Sequence, residues 1–153
     1  MVDQGIKLLQ RNKKAFFNFE ILETLECGIS LLGSEVKSLK RNAFSFGDSY
    51  IKVDKKGSLF LEGFHISSYE LGTIENHEPL RRRRLLAHAQ EIKRLRRKVD
   101  EKGLTLVPTR VYLKKGLIKI EIGLAKGKKV HDKRDAIRDR DLKREADRSM
   151  KRY

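Results

Sequence analysis

Hydrophobic residues recur along the chain at two spacings, and each spacing predicts an element. Phe17, Phe19 and Ile21 alternate with Asn18 and Glu20, which predicts a strand with one buried face. Gly28 marks a turn, and Gly28–Leu32 reads as a short return strand. Gly33 and Ser34 open a helix, with Ser34 as the N-cap and Val36 and Leu39 three apart on one side. Residues 42–48 are a loop anchored by Phe44 and Phe46. Tyr50–Val53 and Leu59–Leu61 flank Asp54-Lys55-Lys56-Gly57, a hairpin signal. His65–Leu71 continues as a strand, and 72–79, with Gly72 and Pro79, is a connection.

The spacing then changes. Leu85, Ala89, Ile92, Leu95 and Val99 make a helical stripe, so residues 80–102 are predicted as one long helix stopped by Gly103. Leu104–Leu113 alternates imperfectly around Pro108, which predicts an edge strand or a bulge. After the turn at Lys114-Lys115-Gly116, Ile118, Ile120, Ile122 and Leu124 alternate with Lys119, Glu121 and Gly123 as a strand. Residues 5–14 are a polar arm ending in Asn12-Lys13-Lys14. About six strands joined as hairpins, with two packed helices, predict a mainly β fold. The expected form is a small curled antiparallel sheet or closed barrel of the oligonucleotide-binding type, flanked by helices.

Past residue 125 the pattern fails. Leu142, Ala146, Met150 and Tyr153 fall at i, i+4, i+8 and i+11, too thin a stripe to build a core. The chain therefore divides into a body, 1–125, and a tail, 126–153. The tail is expected to be disordered when free and helical once a partner supplies the missing surface.

Charge names the class of partner. The 153 residues carry 36 Lys/Arg against 21 Asp/Glu, a formal net charge of +15. The tail alone has 12 Lys/Arg and 6 Asp/Glu. Such a balance points to a polyanion, nucleic acid before membrane, since no apolar run approaches the ~20 residues of a span. The first twelve residues hold an acidic residue and no apolar run, so no signal peptide is expected and the cytoplasm is the expected compartment. Cys27 is the single cysteine, which excludes an internal disulfide. Four scattered histidines offer no metal-ligand spacing, and no cofactor motif is present.

Candidate chemistry is therefore that of binding. Arg81–Arg84 at a predicted helix start oppose the helix dipole, and an external phosphate is a physical reason for them. A localisation patch or a solvated helix start are the plainer readings. Lys13 and Lys14 are phosphate-seeking; Phe16, Phe17 and Phe19 read mostly as core, but one of Phe16 or Asn18 must face out, and an exposed aromatic there could stack on a base. Glu26 and Glu35 stand on the solvent face, in an ion pair, or as acceptors for base N–H groups; spacing does not choose. His77 beside Glu78 could be drawn as a base and its orienter, but a turn with local hydrogen bonds explains the pair more simply. Cys27 reads as a small buried residue. In the tail, Asp132 can cap a helix, His131 can stack on a nucleobase, and Lys133 and Arg134 can meet phosphates. A general basic RNA binder and a small enzyme on a barrel scaffold remain as competing classes.

Several stretches together resemble the small protein B (SmpB) family. They are Asn12-Lys13-Lys14-Ala15, Glu26-Cys27-Gly28-Ile29, Gly33-Ser34-Glu35-Val36-Lys37-Ser38-Leu39, Asp48-Ser49-Tyr50 and Asn76-His77-Glu78-Pro79 with Arg81, Arg83, Leu85 and Leu86. Gly103–Pro108 and Gly123–Lys129 running into His131-Asp132-Lys133-Arg134 complete them, in family order. The resemblance implies an oligonucleotide-binding-like barrel that binds the tRNA-like domain of transfer-messenger RNA. Asn12 and Glu26 would be hydrogen-bonding residues there and Leu86 an apolar contact, with Lys13, Lys14, Arg81 and Arg83 alongside. It implies that the tail enters the empty mRNA channel of a stalled ribosome, against small-subunit rRNA. Gly127, Lys128 and Lys129 would lead in, His131, Asp132, Lys133 and Arg134 would lie at the decoding site, and Met150 would contact further on. Elongation factor Tu and alanyl-tRNA synthetase would be partners only through the RNA, and the protein a monomeric, non-enzymatic adaptor. Ser58, Arg84, Ala87 and Ser149 depart from the family pattern.

Overall fold

The period-two stretches form the strands of a single closing sheet. A computed structural model describes residues 5–71, 75–128, 134 and 137–145. Among the described residues up to Gly127, nine strands and three helices follow in the order β1 (Ile6–Arg11), α1 (Lys13–Asn18), β2 (Phe19–Ile29), α2 (Gly33–Lys40), β3 (Phe44–Ser45) and β4 (Tyr50–Val53). Then come β5 (Leu59–Glu62), β6 (His65–Ile66), β7 (Arg83–Leu86), α3 (Ala89–Lys102), β8 (Thr105–Lys114) and β9 (Leu117–Gly127). Residues 137–145 are helical with exposed side chains.

The main sheet runs β1-β8-β4-β5-β7-β2-β9, and β8 also pairs with β9. Six strands therefore close a ring of antiparallel pairings, with β1 appended to β8. The outer edge of β8 is shared: Leu106 pairs with Ile51 of β4, and residues 110–114 pair with β1. Closure leaves few free strand edges, the usual aggregation liability of a β fold. β3 and β6 form a small separate ladder. The small antiparallel barrel with flanking helices is the fold that the pattern predicts.

The ring interior and the underside of α3 make one core, including Leu39, Leu59, Leu61, Ile66, Leu85, Leu95, Leu106, Ile120 and Ile122. Phe44, Phe46 and Phe64 close one end, their ring centroids 5.6–6.0 Å apart. Phe44 and Phe46 thus anchor the 42–48 loop as expected. Burying each large apolar side chain here contributes about 1.5–3 kcal/mol. Pro108 sits at a bulge, the register shifting between Pro108 and Arg110. The bulged residue, Thr109, is buried, and its hydroxyl donates to Glu121 Oε2 at 2.7 Å.

Six local expectations are corrected. The 80–102 helix is a strand followed by a helix: residues 83–86 pair with β2 and β5, and α3 begins only at Ala89. Residues 6–11 are not an arm but β1. Residues 13–18 are a helix, because Asn12 caps it through its side-chain oxygen, which accepts from Ala15 N. Gly28 is no turn: β2 runs through it, and the missing Cβ lets Leu86 of β7 lie close, since a Cβ there would meet Leu86 Cβ at 3.3 Å. The cap of α2 is Leu32, not Ser34, and the strand expected over 65–71 holds only two residues.

Candidate nucleic-acid interface

Antiparallel register brings Glu26 and Leu86 together. Gly28 pairs with Leu86 across β2–β7 and with Lys119 across β2–β9. Glu26, two residues back on the same strand face, therefore shares one open cavity with Leu86, His88, Glu91 and Lys119. Leu86 is 54% exposed, a large apolar side chain facing outward at the rim of a polar cavity. Glu26 accepts a 3.2 Å hydrogen bond from Lys114 Nζ, and its side chain is 36% exposed. Burial, with the nearby carboxylates of Glu26 and Glu121, pushes the Tyr112 phenol upward, so Tyr112 stays a neutral donor beside Glu26. The site offers two carboxylates, an apolar shelf, an imidazole and one lysine within one concavity, with Lys114 paired to Glu26 beside it. Base edges and phosphates of unpaired RNA need those groups. Lys119, His88 and Tyr112 went unnoticed in the sequence; the Gly28–Lys119 register is the signal that finds them.

Asn12 lies elsewhere, and the two cavities share no lining residue. It is 5% exposed. Its amide donates to Pro108 O at 2.7 Å, its side-chain oxygen accepts from Ala15 N, and its own N–H donates to Thr109 O. All of its polar atoms are thus committed to tying α1 to the β8 bulge. Lys13 projects from this helix to solvent, and Lys14 pairs with Asp48 at the mouth of a cavity of about 460 Å³. Gly127 and Lys128 line the same cavity; Lys128 N donates to Asn18 O, and its Nζ donates to Phe16 O at 3.1 Å. β9 therefore ends beside α1, with Lys128 held against it.

The arginine run is corrected. Arg83 is 0% exposed and donates through Nε to Glu35 Oε2 at 2.6 Å, through Nη1 to Phe64 O, and through Nη2 to Pro79 O at 3.0 Å. It has no surface for a phosphate, because every nitrogen of its fork is spent inside the protein. Arg81 is one-third exposed, and its Nη2 reaches Glu35 Oε1 at 2.5 Å and Ser30 O at 3.3 Å. Glu35 is itself fully buried, so its ion-pair reading is the right one. Burial alone would push its carboxyl up; the hydrogen bonds from Arg81, Leu32 N–H and Arg83 outweigh that and hold it below the ordinary range. The outward members of the run are Arg82, which pairs with Glu62 and lies over the Phe60 ring, and Arg84.

His77 is buried between two partners. Its Nε2 lies 2.8 Å from Ile66 O, which can only accept, so Nε2 carries the proton and Nδ1 accepts from Ser34 Oγ at 2.8 Å. It ties α2 to β6. Asn76 exchanges two hydrogen bonds with the Tyr69 backbone, which is the local turn chemistry the sequence suggests. Cys27 is buried, and desolvation pushes its thiol up to about 12, which leaves it inert. Among the described residues no cluster of His, Cys, Asp or Glu could hold a metal ion. In the same set no helix is long and apolar enough to cross a membrane. Arg134 is exposed; Lys129, His131, Asp132, Lys133 and Met150 lie outside the described residues.

Comparison with known proteins accounts for this combination of features. A family model described as "SmpB protein" matches residues 9–152. An SsrA-binding protein of Treponema denticola is 47% identical over 95% of this chain and 94% of its own length. One from Solidesulfovibrio magneticus is 50% identical over 99% and 97%, and one from Pelotomaculum thermopropionicum 51% identical over 96% and 95%. A solved chain described as "tmRNA-SmpB: a journey to the center of the bacterial ribosome" superposes with a TM-score of 0.68 at 44% identity. It covers 84% of this chain and 94% of its own. With its barrel, its open Glu26–Leu86 cavity and relatives along nearly its whole length, this chain belongs to the SmpB family.

Proposed function

We propose that the protein is the RNA-binding adaptor of trans-translation. It binds the tRNA-like domain of transfer-messenger RNA, delivers it to a stalled ribosome, and allows the nascent peptide to be tagged. The observation that carries this reading is the meeting of Glu26 and Leu86 in one open cavity of a chain whose full-length relatives are SsrA-binding proteins. Glu26 accepts from base N–H groups, Leu86 packs against a base or ribose, and Lys119 and Lys114 offset the phosphates. Lys13 and Lys14 make phosphate contacts from α1, and Asn12 holds that helix in place for them. Arg81 contributes through its exposed third.

Residues 126–153 act as a tail to the 1–125 body, its first two residues still finishing β9 against Glu20 and Phe19. Lys128 pins its root to α1, and the tail runs through Lys129, His131, Asp132, Lys133 and Arg134 at the decoding site to Met150 beyond. Exposed Ile137 and Leu142 on the 137–145 helix await a surface that the body does not supply, and small-subunit rRNA provides it. The protein works in the cytoplasm as a monomer and catalyses no reaction itself. Elongation factor Tu and alanyl-tRNA synthetase meet it through the RNA.

Binding to the tRNA-like domain, set against an ordinary alanine tRNA across a salt series, tests the reading. The expected result is a preference that survives as salt rises; equal affinities collapsing together would make the protein a general basic RNA binder. Within the same assay Glu26→Ala is expected to weaken binding roughly 5- to 100-fold with the salt slope unchanged, because no cation is lost. Tighter binding with a steeper slope would mean that Glu26 merely masks Lys114.

A further inference from the structure

The tip of the β4–β5 hairpin faces the first turns of α3 across a cavity of about 480 Å³. Lys55, Lys56, Arg84, Lys93 and Arg96 line it, and no carboxylate does. Several other surface cations are coupled to acids, Lys14 to Asp48, Arg82 to Glu62, Arg94 and Lys98 to Glu23 and Lys114 to Glu26, and among the described residues the unpaired ones outside the groove do not converge on one cavity wall. Among the described residues Lys55, Lys56, Arg84 and Lys93 make no ion pair, and Arg96 reaches Asp100 only at 4.0 Å. The acid of the hairpin turn is spent on the turn itself, since Asp54 Oδ1 accepts from the N–H groups of Lys56 (3.0 Å) and Ser58 (2.8 Å).

Five like charges converging on a concave wall repel one another, and the concavity focuses their field outward; an external anion relieves both. Lys93 and Arg96 lie one turn apart on α3, while Lys55 and Lys56 approach from the opposite wall. Two charged walls with Ala87 and Ile92 between them suit a linear polyanion carrying sugar and base, not a single small ion. Ala87 also lines the Glu26–Leu86 cavity, so the two concavities adjoin.

We propose that the hairpin–α3 groove is a second RNA contact, a cradle for the phosphodiester strand continuing from the Glu26–Leu86 cavity. This assignment rests on the RNA-binding function proposed above. The full chain carrying K55Q/K56Q/R84Q/K93Q is compared with one carrying K7Q/K37Q/K40Q/K102Q, an equal loss of exposed charge away from the groove. Affinity for the tRNA-like domain of transfer-messenger RNA is measured from 50 to 300 mM salt, about the range in which counterion release dominates. The groove variant is expected to bind roughly 10- to 100-fold more weakly at the low end, its log–log salt slope reduced by about two to three. The control variant should lose less than about one unit of slope. Two variants with the same affinity and slope would overturn the groove. Should the unaltered chain not prefer this RNA to alanine tRNA, the functional reading fails, while the comparison of slopes still decides the groove.

Discussion

Arg83→Ala is expected to destabilise the folded body by about 3–5 kcal/mol, because it removes the only partner of Glu35 Oε2 and leaves the buried carboxylate with Arg81 and the Leu32 N–H on its other oxygen alone. Against a total stability of about 5–15 kcal/mol, that loss leaves little margin. The melting temperature should fall by roughly 10 °C or more. The substitution also takes the arginine's hydrogen bond from the Phe64 carbonyl and leaves Pro79 O with the Ile66 N–H as its remaining donor. Urea denaturation at pH 7 measures the effect, and a loss under about 1 kcal/mol would show that the pair is not the keystone described here. The pH dependence gives an independent check. The Glu35 carboxyl sits below its ordinary value of 4.5, so its contribution is full above that pH and disappears as pH falls through the folded value. Glu35→Gln should flatten this acid limb of the stability curve, and an unaltered limb in that variant would assign it to other carboxylates.

Ending the chain after Lys128 is expected to separate the two halves of the activity. The cut spares the pairing of β9 with β2 and the hydrogen bonds from Lys128 to Phe16 and Asn18, so the body should melt as before. Affinity for the tRNA-like domain should fall only as far as the lost tail cations helped it electrostatically. Peptide tagging on stalled ribosomes should fall by about 10²- to 10⁴-fold, because removing one of two linked binding modules forfeits their effective concentration. Tagging that survives the cut would remove the tail from the mechanism. RNA binding that vanishes with it would make the tail, not the Glu26–Leu86 cavity, the main RNA contact.

Much of the ring is legible in the sequence where turn chemistry and alternation agree. The hairpin from Tyr50 to Glu62 announces itself through Asp54 and Gly57, and β9 through its alternating isoleucines. β7 is hidden because its inward pair is Arg83 and Leu85, and a buried arginine breaks the apolar–polar code. Leu85 then falls into helical spacing with Ala89, Ile92 and Leu95 and lends the strand to the helix. The partner that explains Arg83 is Glu35, 48 positions earlier, and no local pattern carries a pairing of that range. α1 was open to recognition, since Asn12 is a strong N-cap residue, but Phe17, Phe19 and Ile21 alternate across its end. In the site, Glu26 and Leu86 came from resemblance; their meeting depends on β2–β7 register, which a single strand cannot reveal.

The closed ring also dictates how the chain must reach its native state. Phe19 pairs with Gly127 and Ile6 with Lys114, so the first strands made wait for the last ones synthesised. Until β9 exists, β2 has only a two-residue pairing with β7, and eleven residues of its other edge stand open. Loop-closure entropy must be met before these distant contacts repay it, which puts such β topologies in the slow, millisecond-to-second folding range. The helices and the Tyr50–Glu62 hairpin can form early from local contacts, but ring closure is the late, cooperative step. A chain interrupted within β9 would therefore be more than a body lacking one strand: it would be an open sheet with two unsatisfied edges, prone to self-association and proteolysis.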